Sequence, residues 1–148
     1  MSVGRSVKLR NSHNVSRCGM RRLASPVADR IHVAGYVSQE RLAALMAGAE
    51  VFSYVSLYEG FGLPILDAMR AGVPVVTSAT SSMPEVAGGA AVLVDPYDPG
   101  AIATGLDEAI RRHTDLVAAG ASRATARRWA DVAAETWDVY EWAARRPV

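Results

Sequence analysis

Apolar and polar positions begin to recur in a regular way near Arg30. Ile31-His32-Val33-Ala34-Gly35-Tyr36 is short, β-branched and partly alternating, which predicts a strand with His32 facing solvent or a polar partner. Ser38 then suits a helix N-cap, and Leu42, Leu45, Met46 and Ala49 fall at helical spacing, with Gly48 weakening the end of that helix. Val51-Phe52-Ser53-Tyr54-Val55 predicts a second strand, followed by a glycine-containing loop over 56–63. Pro64 fits the first turn of a helix, where its missing N–H costs nothing, and Gly72 is placed to stop that helix. Val73-Pro74-Val75-Val76-Thr77 reads as a third strand, with Pro74 confined to its start because it cannot donate to a ladder. Ser81, Ser82, Pro84 and Glu85 suggest a loop opening a short helical turn, and Ala90-Ala91-Val92-Leu93-Val94 a fourth strand. Asp98-Pro99 reads as N-cap and first residue of a helix with Ile102, Leu106, Ala109 and Ile110 as its buried stripe. From His113 onward the pattern is helical, with a break expected near Gly120. Trp129, Val132, Ala133, Thr136, Val139 and Tyr140 form an apolar face near the C-terminus, and core packing is the expected role of Trp129.

Strands alternating with helices argue for an α/β fold, a Rossmann-like parallel sheet with flanking helices. The 148 residues are enough for one domain with an apolar core. The division expected is a basic, poorly ordered segment over 1–29 and a folded domain over 30–148. Residues 1–30 carry Arg5, Lys8, Arg10, Arg17, Arg21, Arg22 and Arg30 against Asp29 alone, while the whole chain has a net charge of only +1. Such a start is compatible with a targeting or nucleic-acid-binding arm, yet the near-neutral total points to no polyanionic partner, and a solvated tail is the simpler reading. No run of about 18 apolar residues occurs, so membrane association is not indicated. Cys18 is the single cysteine, which excludes an internal disulfide and fits a reducing, cytoplasmic location.

The candidate chemistry lies in Glu59-Gly60-Phe61-Gly62-Leu63-Pro64, after a predicted strand and at the start of a predicted helix. In open parallel sheets ligands bind at the carboxyl ends of strands, and a helix N-terminus offers unpaired N–H groups to a phosphate. Gly60 and Gly62 let the backbone approach a ligand closely. Glu59 and Asp67 repel phosphate but accept hydrogen bonds from sugar hydroxyls. A molecule with phosphates in the middle and polyols at both ends satisfies all of these groups. The bland alternative, a plain strand–helix connection with a surface Glu, stays open on the glycine pattern alone.

Further segments fall in order around this loop: Val33-Ala34-Gly35-Tyr36-Val37-Ser38, then Glu59 through Met69, Ala71-Gly72-Val73-Pro74-Val75-Val76, Pro84-Glu85-Val86 and Val94-Asp95-Pro96. Together they resemble the C-terminal half of a GT-B fold in the family 4 class of retaining glycosyltransferases, over about residues 30–142. The resemblance implies transfer of a hexosyl unit from a nucleotide diphosphate sugar, the donor substrate, to an acceptor hydroxyl with retention, and no cofactor or metal. It implies that Glu59, the catalytic candidate, holds donor-sugar hydroxyls. The backbones of Gly60, Phe61, Gly62 and Leu63 would contact sugar and diphosphate, Asp67 the ribose, and Tyr36 and Val37 would lie beside the nucleobase. Asp67 departs from the family's usual Glu by one methylene.

A counterpart of the family's N-terminal acceptor domain is not found here, and its basic diphosphate pair cannot be placed, since Arg5, Lys8 and Arg10 sit in a different context. The expectation is therefore that the chain is too short to act alone and needs an N-terminal-domain polypeptide or a homo-oligomer. The alternative is a non-catalytic truncated remnant that folds without turnover. A related epimerase or phosphorylase is less well supported, because the phosphorylase version needs a cofactor lysine and the sole lysine is Lys8. His13, His32 and His113 lack metal-ligand spacing. Asp95 and Asp98 suit a turn and a helix cap better than a metal, and Glu85 suits a cap at least as well as a ligand contact.

Overall fold

A computed structural model describes residues 26–146. The expected basic tail therefore lies almost wholly outside the described residues, as do Cys18 and His13. Three short parallel strands, β1 (Phe52–Tyr54), β2 (Val75–Ser78) and β3 (Val92–Val94), form one sheet in the order β1-β2-β3. Phe52 pairs with Val75 and Tyr54 with Thr77, while Val76 pairs with Val92. The helices are α1 (Gln39–Ala47), α2 (Leu63–Arg70), α3 (Met83–Ala87), α4 (Pro99–Arg111), α5 (His113–Thr125) and α6 (Trp129–Ala144).

The central strand β2 is buried at every position. Successive side chains of a strand point to opposite faces, so Val75 and Val76 enter different cores. Val75 joins Phe52, Ile65, Met69 and Met83, with α2 and α3 on that face. Val76 joins Val92, Val94, Ala109 and Leu116, under α4 and the start of α5. A sheet buried on both faces is the doubly covered arrangement that parallel strands require.

Local signals in the chain act as expected. Ser38 caps α1, its Oγ accepting from the Arg41 N–H at 3.3 Å, and Asp98 caps α4 by accepting from the Gly100 N–H at 2.7 Å. Pro74 stands just before β2, where its carbonyl accepts from the Phe52 N–H at 2.8 Å and its missing N–H does no harm. Gly72 takes a φ of +72°, the left-handed conformation that ends α2.

Three expectations are corrected. Residues 31–36 do not form a strand: the segment runs as irregular chain with Val33 and Tyr36 exposed. A strand exists only through its ladder, and among the described residues β1 has β2 as its only neighbour in the sheet. Gly120 does not break the last helical region. It is buried inside α5, where a Cβ would stand 3.0 Å from Met69 Cγ, so the missing side chain lets α5 lie against α2. The interruption falls at 126–128 instead. Trp129 does not pack in the core: it is 75% exposed, and α6 buries none of its residues.

Candidate functional site

Because β1 and β2 run parallel and in register, the loops leaving their carboxyl ends emerge side by side. Hydroxyl groups at the end of β2 and in the loop after it bond to the backbone at the end of β1 and in the loop after that. Thr77 Oγ1 donates to the Tyr54 carbonyl at 2.8 Å and Ser78 Oγ to the Ser56 carbonyl at 2.5 Å, with both side chains fully buried. Farther out, Ser81 Oγ donates to the Glu59 carbonyl at 2.8 Å and accepts from the Glu59 N–H at 3.4 Å. Ser82 Oγ lies 2.9 Å from the Glu59 carbonyl and 2.8 Å from that of Phe61, sharing one proton between them. Side-chain hydroxyls thus continue the β1–β2 pairing beyond the sheet and fix the course of residues 54–61.

At the end of this loop Gly62 is the N-cap of α2, with φ +104° and ψ 38°. Pro64 follows in the first turn and contributes no N–H. The Ile65 N–H turns back to the Gly62 carbonyl at 3.0 Å. Among the described residues the amides of Gly60, Phe61, Gly62 and Leu63 have no partner. The unpartnered donors of this helix start therefore lie mainly in the loop before the helix rather than in its first turn, on exposed Gly60 and Phe61 and buried Gly62. Glu59 is half-buried, whereas Phe61 and Leu63 are exposed.

Asp67 lies exposed on α2, its Oδ1 3.5 Å from Arg70 Nη1. Arg70 also donates to the Ala124 carbonyl at 3.3 Å, which ties this cation to α5. Glu59, Gly60, Phe61, Gly62 and Leu63 are thus one continuous loop, with Asp67 one turn into the helix that follows. Tyr36 is fully exposed and Val37 half-buried, just before the Ser38 cap. No hydrogen bond, ion pair or ring contact joins either to the loop among the described residues.

Of the remaining candidates, Asp95 and Asp98 fall to structural duties, while the cap expected of Glu85 is not formed. Asp95 Oδ1 accepts from the Tyr97 N–H at 2.8 Å in a turn, beside the Asp98 cap. Among the described residues no group of three metal-ligating side chains occurs. Glu85 sits inside α3, which has no side-chain cap, because Ser82 at the N-cap spends its hydroxyl on the Glu59 loop. Arg123 from α5 holds the other end of α3, donating to the carbonyls of Val86 at 2.9 Å and Glu85 at 2.7 Å. The arrangement of Ser78, Ser81 and Ser82 was not read from sequence. The available signal was the hydroxyl-rich run Thr77-Ser78-Ala79-Thr80-Ser81-Ser82 directly after a strand.

A parallel sheet covered on both faces, with a glycine-containing loop leading into a helix at the strand ends, defines a Rossmann-like α/β class of domain. The description "Glycosyl transferases group 1" matches residues 10–112, and the chain belongs to that family. It is 40% identical over 114 residues to the O-antigen chain mannosyltransferase B of Escherichia coli, a match covering 75% of this chain and 30% of that protein. It is 39% identical over 130 residues to the MMP alpha-(1->4)-mannosyltransferase of Mycolicibacterium hassiacum, covering 81% of this chain and 31% of the relative. The chain thus spans less than a third of the length of either. Among solved structures, the sucrose-phosphate synthase of Thermosynechococcus elongatus superposes with a TM-score of 0.75 at 25% identity, over 93% of this chain and 37% of that one. Anabaena HepE, solved with UDP and glucose, gives a TM-score of 0.73 at 20% identity, over 95% of this chain and 39% of HepE. The sheet and its helices are part of a GT-B glycosyltransferase fold. No helix of the described residues is long and apolar enough to cross a membrane.

Proposed function

We propose that this domain binds the donor, a nucleotide diphosphate sugar, for transfer of a hexosyl unit to an acceptor hydroxyl with retention at the anomeric carbon. The observation that carries the reading is the Glu59–Leu63 loop, which sets four unpartnered amides and one half-buried carboxylate at the carboxyl end of β1. The amides of Gly60, Phe61, Gly62 and Leu63 meet the diphosphate and sugar. Glu59 accepts hydrogen bonds from sugar hydroxyls, each worth roughly 1.5–3 kcal/mol when a charge takes part. Asp67, at the outer surface of α2, takes the ribose hydroxyls, and Tyr36 and Val37 flank the base. No metal or cofactor takes part in this scheme. The acceptor is held by protein outside the domain, in keeping with the 30% and 31% of the curated relatives that this chain covers. Both relatives are named mannosyltransferases, which makes a mannosyl donor the first to test.

The test is calorimetric titration of the chain with UDP, GDP and ADP and their hexose conjugates. One conjugate should bind, and Glu59→Ala should weaken it by about 10- to 100-fold, the equivalent of one charged hydrogen bond. A folded chain that binds none of them, or Glu59→Ala with unchanged affinity, overturns the reading.

A further inference from the structure

Two of the loop carbonyls point at serines, and that has a consequence for the amides that follow them. In a trans peptide the C=O and the next N–H point in opposite directions, and every peptide bond among the described residues is trans. The Glu59 carbonyl is directed at Ser81 and Ser82, so the Gly60 N–H is directed away from them. The Phe61 carbonyl is directed at Ser82, so the Gly62 N–H is directed away as well. Both amides are among those without a partner. The Glu59 carbonyl has both of its lone pairs engaged, which leaves that peptide plane little freedom to flip.

A second observation sets Ser81 apart. It is the one residue other than glycine with positive φ among the described residues, at +57°. A serine in that region is uncommon, and conformations of this kind persist only where the surroundings enforce them. Here the enforcement is reciprocal, since its hydroxyl bonds both the N–H and the C=O of Glu59. At its far end α3 is pinned by Arg123, so the serines stand on a fixed base.

From this geometry we infer that Ser81 and Ser82 are positioning residues for donor binding: a pair of hydroxyls that turns two loop carbonyls inward and thereby aims the Gly60 and Gly62 amides at the donor's diphosphate. The inference rests on the donor reading above. The serines touch no substrate and act only through the loop backbone. A phosphate oxygen bridging two aimed amides has the anion chemistry of a backbone nest.

The experiment uses the whole chain and three variants. Ser82→Ala removes one hydroxyl. Ser81→Gly removes the other while keeping a residue that adopts positive φ without strain. Ser82→Thr restores a hydroxyl at 82. Circular dichroism first establishes that each variant is folded, as expected because α3 takes no cap bond from Ser82. Titration with GDP-mannose and UDP-glucose follows, together with amide NMR spectra without ligand. Ser82→Ala and Ser81→Gly should each raise the dissociation constant of the bound probe about tenfold, with Ser82→Thr recovering most of the loss. In the spectra the Gly60 and Gly62 amides should move toward random-coil positions while β1 and β2 stay in place. Wild-type affinity in both hydroxyl-deleted variants, or equal loss in Ser82→Ala and Ser82→Thr, overturns the inference. If the wild type binds neither these probes nor the other hexose conjugates of UDP, GDP and ADP, it is the donor reading that fails. The spectra then decide the clamp: shifted Gly60 and Gly62 amides sustain it and unchanged ones refute it.

Discussion

Gly62 offers the sharpest test of how the loop is built, because its substitution has two separable costs. At φ +104° and ψ 38° it stands well outside the left-handed well near +57° that other residues occasionally occupy. An alanine there carries roughly 1–3 kcal/mol of backbone strain. Its Cβ would also stand 3.3 Å from Ile65 Cδ1, and Ile65 is fully buried with little room to yield. Against this, alanine restricts the unfolded chain and returns about 0.4–1 kcal/mol. The net is a loss of about 1–2 kcal/mol. Gly72→Ala isolates the backbone term, since φ is +72° and nothing lies within 4 Å of the added Cβ. Its net cost is about 0–1.5 kcal/mol. Gly60→Ala has neither term, with no positive φ and open space around the site, so it should be neutral or slightly stabilising.

The assay is urea denaturation followed by far-UV circular dichroism, comparing midpoints at constant slope. The expected order of stability is Gly60→Ala, then Gly72→Ala, then Gly62→Ala. A loop that relaxes instead of holding its strain would shrink the last difference, and the cost would then appear as weaker donor binding. The same proteins are therefore titrated with the donor identified for the wild type. Gly62→Ala with the midpoint of Gly60→Ala and wild-type donor affinity would refute the reasoning, because no strained cap would then exist to be lost.

Asp67→Ala should leave stability within about 0.5 kcal/mol, because its pair with Arg70 is exposed, yet it should weaken nucleoside diphosphate binding in the same titration; unchanged affinity removes Asp67 from the ribose site. Gly105→Ala sets a helix-propensity gain of about 1 kcal/mol against a Cβ only 2.5 Å from Val94 Cγ1, and overpacking of about 1–3 kcal/mol should win, lowering the urea midpoint; a higher midpoint would show that the β3–α4 contact gives way freely. At the start of α6 the Arg128 side chain, and then its backbone N–H, hold the Asp131 carboxyl below its usual range. A lowered folded value means that the stabilising contribution is present above the unfolded carboxyl's range and is lost as pH falls through the folded one, so helix content in α6 should drop in acid. Circular dichroism should show this step in the wild type and not in Asp131→Asn, and an identical acid profile would rule the pair out as its cause.

What the sequence made legible was whatever depends on near neighbours. The caps at Ser38 and Asp98, the helix entry at Pro64 and the stop at Gly72 follow from backbone rules within four residues, and each is found in place. The misreadings share a different origin. Residues 31–36 have strand character, but a strand needs a partner that no local pattern supplies. Gly120 looks like a helix breaker until Met69, far away in the chain, is seen to need the space. The periodic face of α6 says which side is apolar but not what covers it. The serine contacts span 21 to 23 residues and depend on β1 and β2 pairing in parallel, so the loop was legible as a candidate site while its means of support was not.

This support also separates two roles within Glu59. Its N–H and C=O are both engaged by Ser81, and its C=O by Ser82 as well, so the backbone at this position is held without help from its own side chain. Among the described residues the carboxylate takes no part in the hydrogen bonds that fix the loop. Removing it therefore leaves the Gly60 and Gly62 amides aimed as before, and a loss of donor affinity in Glu59→Ala is attributable to the carboxylate itself. The serine variants do the reverse: they keep the carboxylate and release the backbone that carries it. If both elements act on one bound donor they share its geometry, so the double variant Glu59→Ala/Ser82→Ala should lose less than the sum of the single losses, since an unclamped loop no longer presents the carboxylate correctly. Strict additivity would mean that clamp and carboxylate serve different ends of the ligand, and that the diphosphate reads the amides independently of how the sugar is held.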